Sequence, residues 1–161
     1  MTSWLKSHGF SYKKPKGTPS KADPLKQEAF LKAYKSLLKT TPEDEPILFG
    51  DGVHPTMAKK VTYGWIKRGS DKLIATTASR TRMNLMGTVN LKTMKVIVDD
   101  YKTIDSQAMT DYFEKLTAAY PQAPKIHLIV DNGPYNISVQ TKEAAKKNSI
   151  VLHYLPPYSP N

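Results

Sequence analysis

The stretch Ile126-His127-Leu128-Ile129-Val130-Asp131 decides the fold, because it is an apolar run that ends in a carboxylate. Such a run is typical of a strand that is covered on both faces of a sheet. A second run, Ile47-Leu48-Phe49-Gly50-Asp51, also ends in an aspartate. A buried strand delivers its last side chain to the rim of the sheet, where ligands bind in open α/β sheets. If the two strands are neighbours, Asp51 and Asp131 are predicted to lie close together.

The residues around these two strands predict a mixed sheet with helices on its faces. Asp23 and Pro24 combine a capping carboxylate with proline at the first helical position, which marks the start of a helix. An antiparallel meander followed by alternating helices and strands is then predicted, which is an α/β fold. The spacing of apolar residues predicts strands at 61–66, 72–77, 85–91, 94–98 and 150–155, a turn at 90–93, and helices at 25–38, 106–120 and 137–147.

The composition restricts the class of protein. The 161 residues are enough for one domain with a short appendage. The chain contains no cysteine, which excludes disulfides and thiol chemistry and fits a reducing compartment. No apolar run approaches the roughly 18 residues of a membrane span, and residues 1–6 lack the apolar core of a signal peptide. We therefore expect a cytoplasmic protein without a membrane partner.

The charge is basic and unevenly distributed. The net charge is +10, from 24 Lys and Arg against 14 Asp and Glu. Residues 1–40 hold nine lysines against two acidic residues, and residues 57–95 hold nine basic residues against Asp71 alone. Neutralising phosphates releases counterions, so this balance favours nucleic acid, although a solvated basic surface has the same composition. The candidate contacts with nucleic acid are Lys59, Lys60, Lys67, Arg68, Arg80 and Arg82.

Asp51 and Asp131 are the strongest candidates for chemistry. Two carboxylates about 4 Å apart repel each other by roughly 1–4 kcal/mol, and a cation or a shared proton relieves that repulsion. Oxygen ligands suit Mg²⁺ or Mn²⁺, and a metal pair can bind the attacking and leaving oxygens of a phosphodiester. The alternative is that each aspartate is only a turn residue at the end of its strand.

Other residues carry weaker signals. Asp99 and Asp100 follow an apolar strand in the same way, although a solvated turn is the favoured interpretation. His54 has no second histidine or cysteine at ligand spacing, so a turn histidine is favoured over a metal ligand. His127 is expected to be a hydrogen-bonded core residue, and His153 carries no signal. The chain lacks a nucleophile elbow and a glycine-rich phosphate loop, which argues against a serine hydrolase, a nucleotide-triphosphate enzyme and a small-molecule substrate.

Three local motifs occur in order along the chain. Phe49-Gly50-Asp51-Gly52-Val53-His54-Pro55, followed by Tyr63-Gly64-Trp65-Ile66-Lys67-Arg68-Gly69, resembles the first catalytic block of mariner-superfamily transposases, in the bacterial insertion-sequence branch. Leu128-Ile129-Val130-Asp131-Asn132-Gly133 is similar to the second block. Leu155-Pro156-Pro157-Tyr158-Ser159-Pro160-Asn161 is similar to the segment that leads into the third block. Residues 4–12 also resemble the end of the helix-turn-helix domain that precedes this catalytic core.

This resemblance implies an RNase H-like fold and a DDE-type transposase. Asp51 and Asp131 would be the first two members of the acidic triad and would bind Mg²⁺ or Mn²⁺. The family hydrolyses a DNA strand at the element end and then joins the freed 3′-hydroxyl to target DNA. The implied partners are therefore transposon ends and target DNA, and the resemblance allows a homodimer. Metal-bound water or hydroxyl would handle proton transfer, so no histidine base is required.

The sequence departs from the family pattern in two places. The second block often has a histidine where this chain has Asn136, which affects the orientation of the site more than its metal. The third carboxylate normally follows the Pro-Pro-Tyr-Ser-Pro segment within a few residues, on a helix that this chain does not contain. We therefore expect residues 1–22 to be a remnant of the DNA-binding domain with a basic linker. Residues 23–161 are expected to form a catalytic domain that is truncated before its third acidic residue.

The departures leave three functions open. A transposase fragment with two carboxylates is expected to catalyse little or no strand transfer alone. The first alternative is a non-catalytic remnant that still binds DNA. The second is another RNase H-like metal-dependent nuclease, whose third ligand is Asp99 or Asp100.

Overall fold

The computed structural model of the chain describes residues 2–9, 23–56, 69, 71, 73–74 and 81–157. Within these residues, five strands form one sheet in the order β3-β2-β1-β4-β5. The strands are β1 (Ile47–Val53), β2 (Leu85–Asn90), β3 (Lys95–Asp100), β4 (Ile126–Val130) and β5 (Ile150–Tyr154). The helices are α1 (Thr2–Ser7), α2 (Pro24–Thr40), α3 (Ser106–Ala119), α4 (Pro134–Ile137) and α5 (Val139–Lys147).

The strand pairing makes the sheet mixed, as the sequence predicts. β1 pairs antiparallel with β2, and β2 pairs antiparallel with β3. β1 and β5 both pair in parallel with β4. The parallel strands β4 and β5 are connected through the helices α4 and α5, whereas the antiparallel strands β2 and β3 are connected by a short turn, as the two kinds of pairing require. The α/β class with a mixed sheet is therefore confirmed.

Two helices begin at side-chain caps that the sequence supplies. The carboxylate of Asp23 accepts from the amides of Leu25 and Lys26, and Pro24 opens α2 at a position where no backbone donor is needed. The carboxylate of Asp105 accepts in the same way from the amides of Gln107 and Ala108 at the start of α3. These caps confirm the predicted beginnings of both helices.

One face of the sheet, which we call the core face, is covered by α3 and α5. Its apolar centre combines buried strand residues such as Leu48 and Leu128 with Phe113 of α3. Tyr112 is also fully buried there, and its hydroxyl donates to the carbonyl of Ile97 at 2.8 Å. Burial raises the pKa of Tyr112 to about 12, so this hydroxyl stays a donor at physiological pH.

The opposite face, which we call the second face, carries α2 over part of its area. The ring of Tyr34 in α2 meets Phe49 of β1 edge to face, with centroids 5.5 Å apart. Phe49 lies beside Val89 of β2 on this face, and Val89 lies beside the exposed Val96 of β3. All five residues of β4 are buried, so this strand is covered on both faces, as its apolar sequence predicts.

Three predicted elements differ from the structure or lie outside it. The predicted helix 137–147 is wrong at its start, because Ser138 has extended backbone and separates α4 from α5. The hydroxyl of Ser138 accepts from the amide of Thr141 and thereby caps a new helix. The predicted strand 61–66 lies outside the described residues. So does the predicted strand 72–77 apart from residues 73 and 74, which are not in a strand.

The predicted turn between β2 and β3 is confirmed. It spans Leu91 to Met94, and the side-chain oxygen of buried Asn90 accepts from the amides of Lys92 and Thr93. Met94 has a φ of 56°, in the left-handed region. In the described part of the chain, no helix is both long enough and apolar enough to cross a membrane.

Candidate active site

Asp51 and Asp131 occupy one rim of the sheet, on its second face. β1 and β4 pair in parallel with Phe49 opposite Ile129. The same register continued by two residues sets Asp51 opposite Asp131, at the roughly 4.8 Å spacing of adjacent strands. Both aspartates are exposed, and both line a cavity of about 530 Å³. The structure therefore brings together the two carboxylates that the sequence singled out.

The carboxylate of Asp131 is held by two donors. Its Oδ1 accepts from the backbone amide of Gly133 at 2.9 Å and from the side-chain Nδ2 of Asn136 at 2.7 Å. Asn136 lies in α4 and is 2% exposed, so this amide is part of the protein interior. Among the described residues, Oδ2 of Asp131 has no hydrogen-bond donor. Within the described part of the chain, that oxygen is therefore free to bind a ligand.

The carboxylate of Asp51 is held by one donor. Its Oδ1 accepts from the amide of the next residue, Gly52, at 2.8 Å. Oδ2 has no donor among the described residues, as at Asp131. The two carboxylates thus present one uncommitted oxygen each. Because both side chains are exposed, a cation that binds there can retain water molecules as further ligands.

Tyr135 packs close beneath the pair. A side chain on Gly52 would come within 3.2 Å of the Tyr135 hydroxyl oxygen, and one on Gly133 would come within 3.0 Å of Oδ1 of Asp131. Glycine at both positions therefore permits the close approach of the ring to the two carboxylates. Burial, together with the negative charges of Asp131 and Asp51, raises the pKa of the Tyr135 phenol. The phenol is consequently a neutral donor at the edge of the site.

Asp99 and Asp100 lie apart from the pair. Both belong to β3, so the favoured interpretation as a solvated turn is wrong, because the ladder to β2 extends to Asp100. Asp99 is level with buried Met86 and therefore points to the core face, where its Oδ1 forms an ion pair with Lys115 at 2.9 Å. That lysine lowers the pKa of Asp99. Asp100 is on the second face, but two strands and about 10 Å away from β1.

Three histidines lie in or near the sheet: His54 follows β1, and His127 and His153 form a pair on β4 and β5. The amide of Asn84 donates to two backbone carbonyls, so its Oδ1 accepts from Nδ1 of His54, the residue that follows β1. His127 is 8% exposed and is hydrogen-bonded through both ring nitrogens, to His153 and to Glu45, each at 3.0 Å. The prediction for His127 is confirmed. His153 was missed, and the signal that could have found it is a polar residue inside an apolar strand.

Within the described residues, the two aspartates are the side chains at this rim that could bind a metal ion. In the described ranges, no group of three or more His, Asp or Glu side chains could hold a metal ion. Mg²⁺ is commonly bound by one or two carboxylates, several waters and substrate phosphates, so an exposed pair of oxygen ligands fits this ion. The same hard oxygen ligands suit Mn²⁺.

The predicted contacts with nucleic acid lie mostly outside the structure. Arg82 is exposed and forms an isolated backbone bridge with Thr56 near the rim. The five other candidates lie outside the described residues, so their position remains a prediction: Lys59, Lys60, Lys67, Arg68 and Arg80.

Comparison with known families gives the class of protein. Residues 46–161 match the family described as DDE superfamily endonuclease, and residues 1–34 match the family described as winged helix-turn-helix. The first match covers most of the chain, including both aspartates and the five described strands. The chain therefore belongs to the DDE superfamily endonucleases.

Individual relatives place the chain within this superfamily. It is 29% identical over 158 residues to the insertion element IS630 uncharacterized 39 kDa protein of Shigella sonnei, which covers 98% of this chain and 46% of the relative. The Mos1 transposase paired-end complex with the left transposon end superposes with a TM-score of 0.72 at 15% identity, over 98% of this chain and 50% of that chain. The Mos1 mariner paired-end complex with Mn gives 0.68 at 13% identity, over 98% and 51%.

These matches confirm two predictions from the sequence. The RNase H-like fold is confirmed by the superposition on the Mos1 transposase. The predicted membership in the DDE superfamily is confirmed by the family match, and the predicted similarity to insertion-sequence proteins is confirmed by the Shigella sonnei insertion-element relative. The chain spans about half the length of each of these relatives.

Proposed function

We propose that this chain is the part of a transposase that binds divalent metal for cutting and joining DNA. One observation carries the proposal: two adjacent parallel strands present Asp51 and Asp131 side by side, each with one carboxylate oxygen uncommitted among the described residues. Mg²⁺ and Mn²⁺ are the ions that such oxygens would hold. Membership in the DDE endonuclease family supports the use of a divalent metal.

The chain's own groups would prepare the site for a phosphodiester. Asp51 and Asp131 would hold the ions, and the fixed Oδ1 contacts of Asp131 would limit rotation of its carboxylate. The neutral phenol of Tyr135 would border the site without adding charge. Bound divalent ions would activate the attacking oxygen and stabilise charge at the phosphorus. No protein histidine lies among these groups, and the mechanism requires none.

The partners in this proposal are transposon ends and target DNA. The net charge of +10 favours a polyanion, and the Mos1 relatives are complexes with transposon ends. We further propose that residues 1–22 belong to a DNA-binding module, which is consistent with the winged helix-turn-helix match over residues 1–34. A homodimer would allow two ends to be held together.

The site would need a third ligand for strand transfer. Two exposed carboxylates hold a metal ion only together with waters or substrate phosphates, and the described residues supply no third acidic side chain at this rim. We propose that the complete site takes a further carboxylate from sequence that follows residue 161 in a longer protein. The 161 residues alone would then bind metal but transfer DNA strands poorly.

A second candidate function is DNA binding without catalysis. The incomplete ligand set within the described residues favours it, because a chain with two carboxylates and a basic surface can still bind DNA. The two functions differ in one respect. Catalysis requires that metal bind at the aspartates, whereas a purely DNA-binding remnant has no use for that metal.

Metal titration tests the proposal directly. Mn²⁺ binding would be followed by electron paramagnetic resonance of the free ion, for the chain and for Asp51→Asn and Asp131→Asn. Each substitution should weaken binding by at least about tenfold, because one of two ligands is lost. Asp100→Asn is the matched control, since this exposed carboxylate shares the second face but lies two strands away. Equal binding by all four proteins would overturn the proposal.

A further inference from the structure

Asn136 has a hydrogen-bond pattern that is unusual for a buried amide. Its Nδ2 donates to Oδ1 of Asp131 at 2.7 Å and to the Asp131 carbonyl at 3.3 Å. Its own Oδ1 is buried and has no hydrogen-bond partner in the described part of the chain. A buried carbonyl without a donor destabilises the folded state. The side chain therefore has one end that is satisfied by Asp131 and one end that is not satisfied.

The alternative orientation of this amide is excluded by charge. Exchanging Nδ2 and Oδ1 would point the amide oxygen at the carboxylate and the carbonyl of Asp131, so that three acceptors would face one another. The observed orientation is thus the one in which Nδ2 of Asn136 donates to Asp131. In this orientation, Oδ1 of Asn136 is left without a hydrogen-bond donor in the described part of the chain.

The backbone of Asn136 is also held in place. Its carbonyl accepts from the hydroxyl of Tyr154 at 3.0 Å, and its amide donates to the carbonyl of Gly133 at 2.9 Å. The residue is 2% exposed and lies in α4. The donor that meets Asp131 therefore has a fixed position, with little freedom to follow a moving carboxylate.

We propose that Asn136 is a positioning residue that fixes the Asp131 carboxylate for metal. With Oδ1 held by Asn136 and Gly133, rotation of the carboxylate is restricted and Oδ2 is presented to the ion. Outer hydrogen bonds of this kind orient metal ligands and preserve their geometry. The inference rests on the proposed metal site. It adds a role for the position where the resembling family often has histidine.

A purely structural role makes the opposite prediction for the metal-free protein. If Asn136 served the fold, removal of its amide would destabilise the chain. If it serves Asp131, the substitution Asn136→Ala loses a hydrogen bond to the carboxylate but also removes a buried carbonyl that has no partner, so the two effects offset each other and stability changes little. Metal affinity and metal-free stability therefore separate the two roles.

The experiment measures both quantities on the 161-residue chain. Mn²⁺ affinity would be obtained by electron paramagnetic resonance and the midpoint of thermal unfolding by circular dichroism without metal. Asn136→Ala should weaken Mn²⁺ binding by about 10-fold. Asn136→His keeps an N–H donor and should recover most of that loss. Asn132→Ala is the matched control, because its amide is next to Asp131 in sequence but donates to the carbonyl of Leu155.

Each outcome decides one claim. Unchanged Mn²⁺ binding in Asn136→Ala, with binding abolished in Asp131→Asn, would overturn the role of Asn136 and leave the metal site standing. Loss of the metal-free fold in Asn136→Ala would also overturn it, because the contact would then be structural. Equal Mn²⁺ binding by the unaltered chain and Asp131→Asn would remove the metal site itself.

Discussion

The rim aspartates and the histidine pair of His127 and His153 are two pairs of like groups on one face of the sheet. Asp131, the residue after β4, lies four residues from His127 of β4, which is about 13 Å along an extended chain. Asp51 faces Asp131 at the exposed rim, whereas His153 meets His127 at 3.0 Å beneath partial cover. The aspartates retain oxygens without donors among the described residues. The histidines use each other and Glu45, so their hydrogen-bonding capacity is largely consumed inside the protein.

The two pairs differ in what relieves the repulsion between their members. Two exposed carboxylates cannot hydrogen-bond each other when both are ionised, so an external cation is what relieves their repulsion. Two imidazoles can share a proton, because one ring nitrogen donates while the other accepts. A second proton would set two N–H groups against each other across 3.0 Å. The aspartate pair would therefore be stabilised by a bound cation. The histidine pair is stabilised by its own hydrogen bonds and needs no bound ligand.

The largest expected effect concerns catalysis at the rim. In a longer protein that transfers DNA strands, Asp51→Asn or Asp131→Asn should reduce strand cleavage by more than about 100-fold, beyond the range for losing an outer hydrogen bond to a metal ligand. His127→Leu should change cleavage by less than about threefold. The measurement is the single-turnover rate on a labelled transposon end with Mg²⁺. A comparable loss of cleavage rate in His127→Leu would contradict the prediction that the aspartate pair, and not the histidine pair, is needed for catalysis.

The next largest effect is expected on stability, at the histidine pair. His127→Leu should lower the free energy of unfolding by about 1–3 kcal/mol, because Glu45 and His153 would lose a buried hydrogen-bond partner. Urea denaturation without metal measures the difference. His8→Leu is the control, since His8 is an exposed histidine of the N-terminal segment. A stability equal to that of the unaltered chain would show that the histidine cluster does not stabilise the fold.

A smaller effect of opposite sign is expected at the rim. Without metal, Asp51→Asn should raise the free energy of unfolding by up to about 1 kcal/mol, because it removes the repulsion between two exposed carboxylates. Saturating Mn²⁺ should stabilise the unaltered chain by mass action and should have little effect on the variant. Thermal unfolding with and without Mn²⁺ tests both statements. A variant that is less stable without metal would show that the two charges do not interact.

The smallest effect is a pH dependence of the histidine pair. Burial, followed by the charge of His127, lowers the pKa of His153 below 6.5. The unfolded chain therefore binds more protons below about pH 6.5, so stability is complete above that pH and decreases as the pH falls. His153→Gln should reduce the fall of the unfolding midpoint between pH 7 and pH 5 by about 2 °C. An unchanged fall, as expected for His8→Gln, would contradict this assignment.

The sequence predicts the fold well where the cause is local. Asp23 and Asp105 cap helices through their own neighbours, and the apolar run of β4 needs no distant contact to be recognised. The break at Ser138 is different, because its hydroxyl also accepts from Ser106 of α3, which is 32 residues away. A pattern of apolar residues contains no information on such a contact.

In the candidate site, too, local features are predictable from the sequence and distant contacts are not. Asp51 and Asp131 are predictable because each ends an apolar strand, and adjacency of the two strands follows from the family resemblance. The contact of Asn136 with Asp131 depends on the side chain of a short helix that folds back on the strand end. The pairing of His153 with His127 depends on the register of β4 and β5. Both are tertiary facts that single-residue patterns do not encode.

The complete burial of β4 has a consequence for the mobility of the proposed metal site. The amide of His127 donates to the carbonyl of Pro46, and the carbonyl of Val130 accepts from the amide of Leu155, so the strand is bonded on both edges. Amides of such a strand exchange with deuterium only when the whole domain opens. We therefore expect Asp131 to be attached to a slowly exchanging segment of the described chain. Motions that loosen the exposed rim near Asp51 would leave the other half of the site in place.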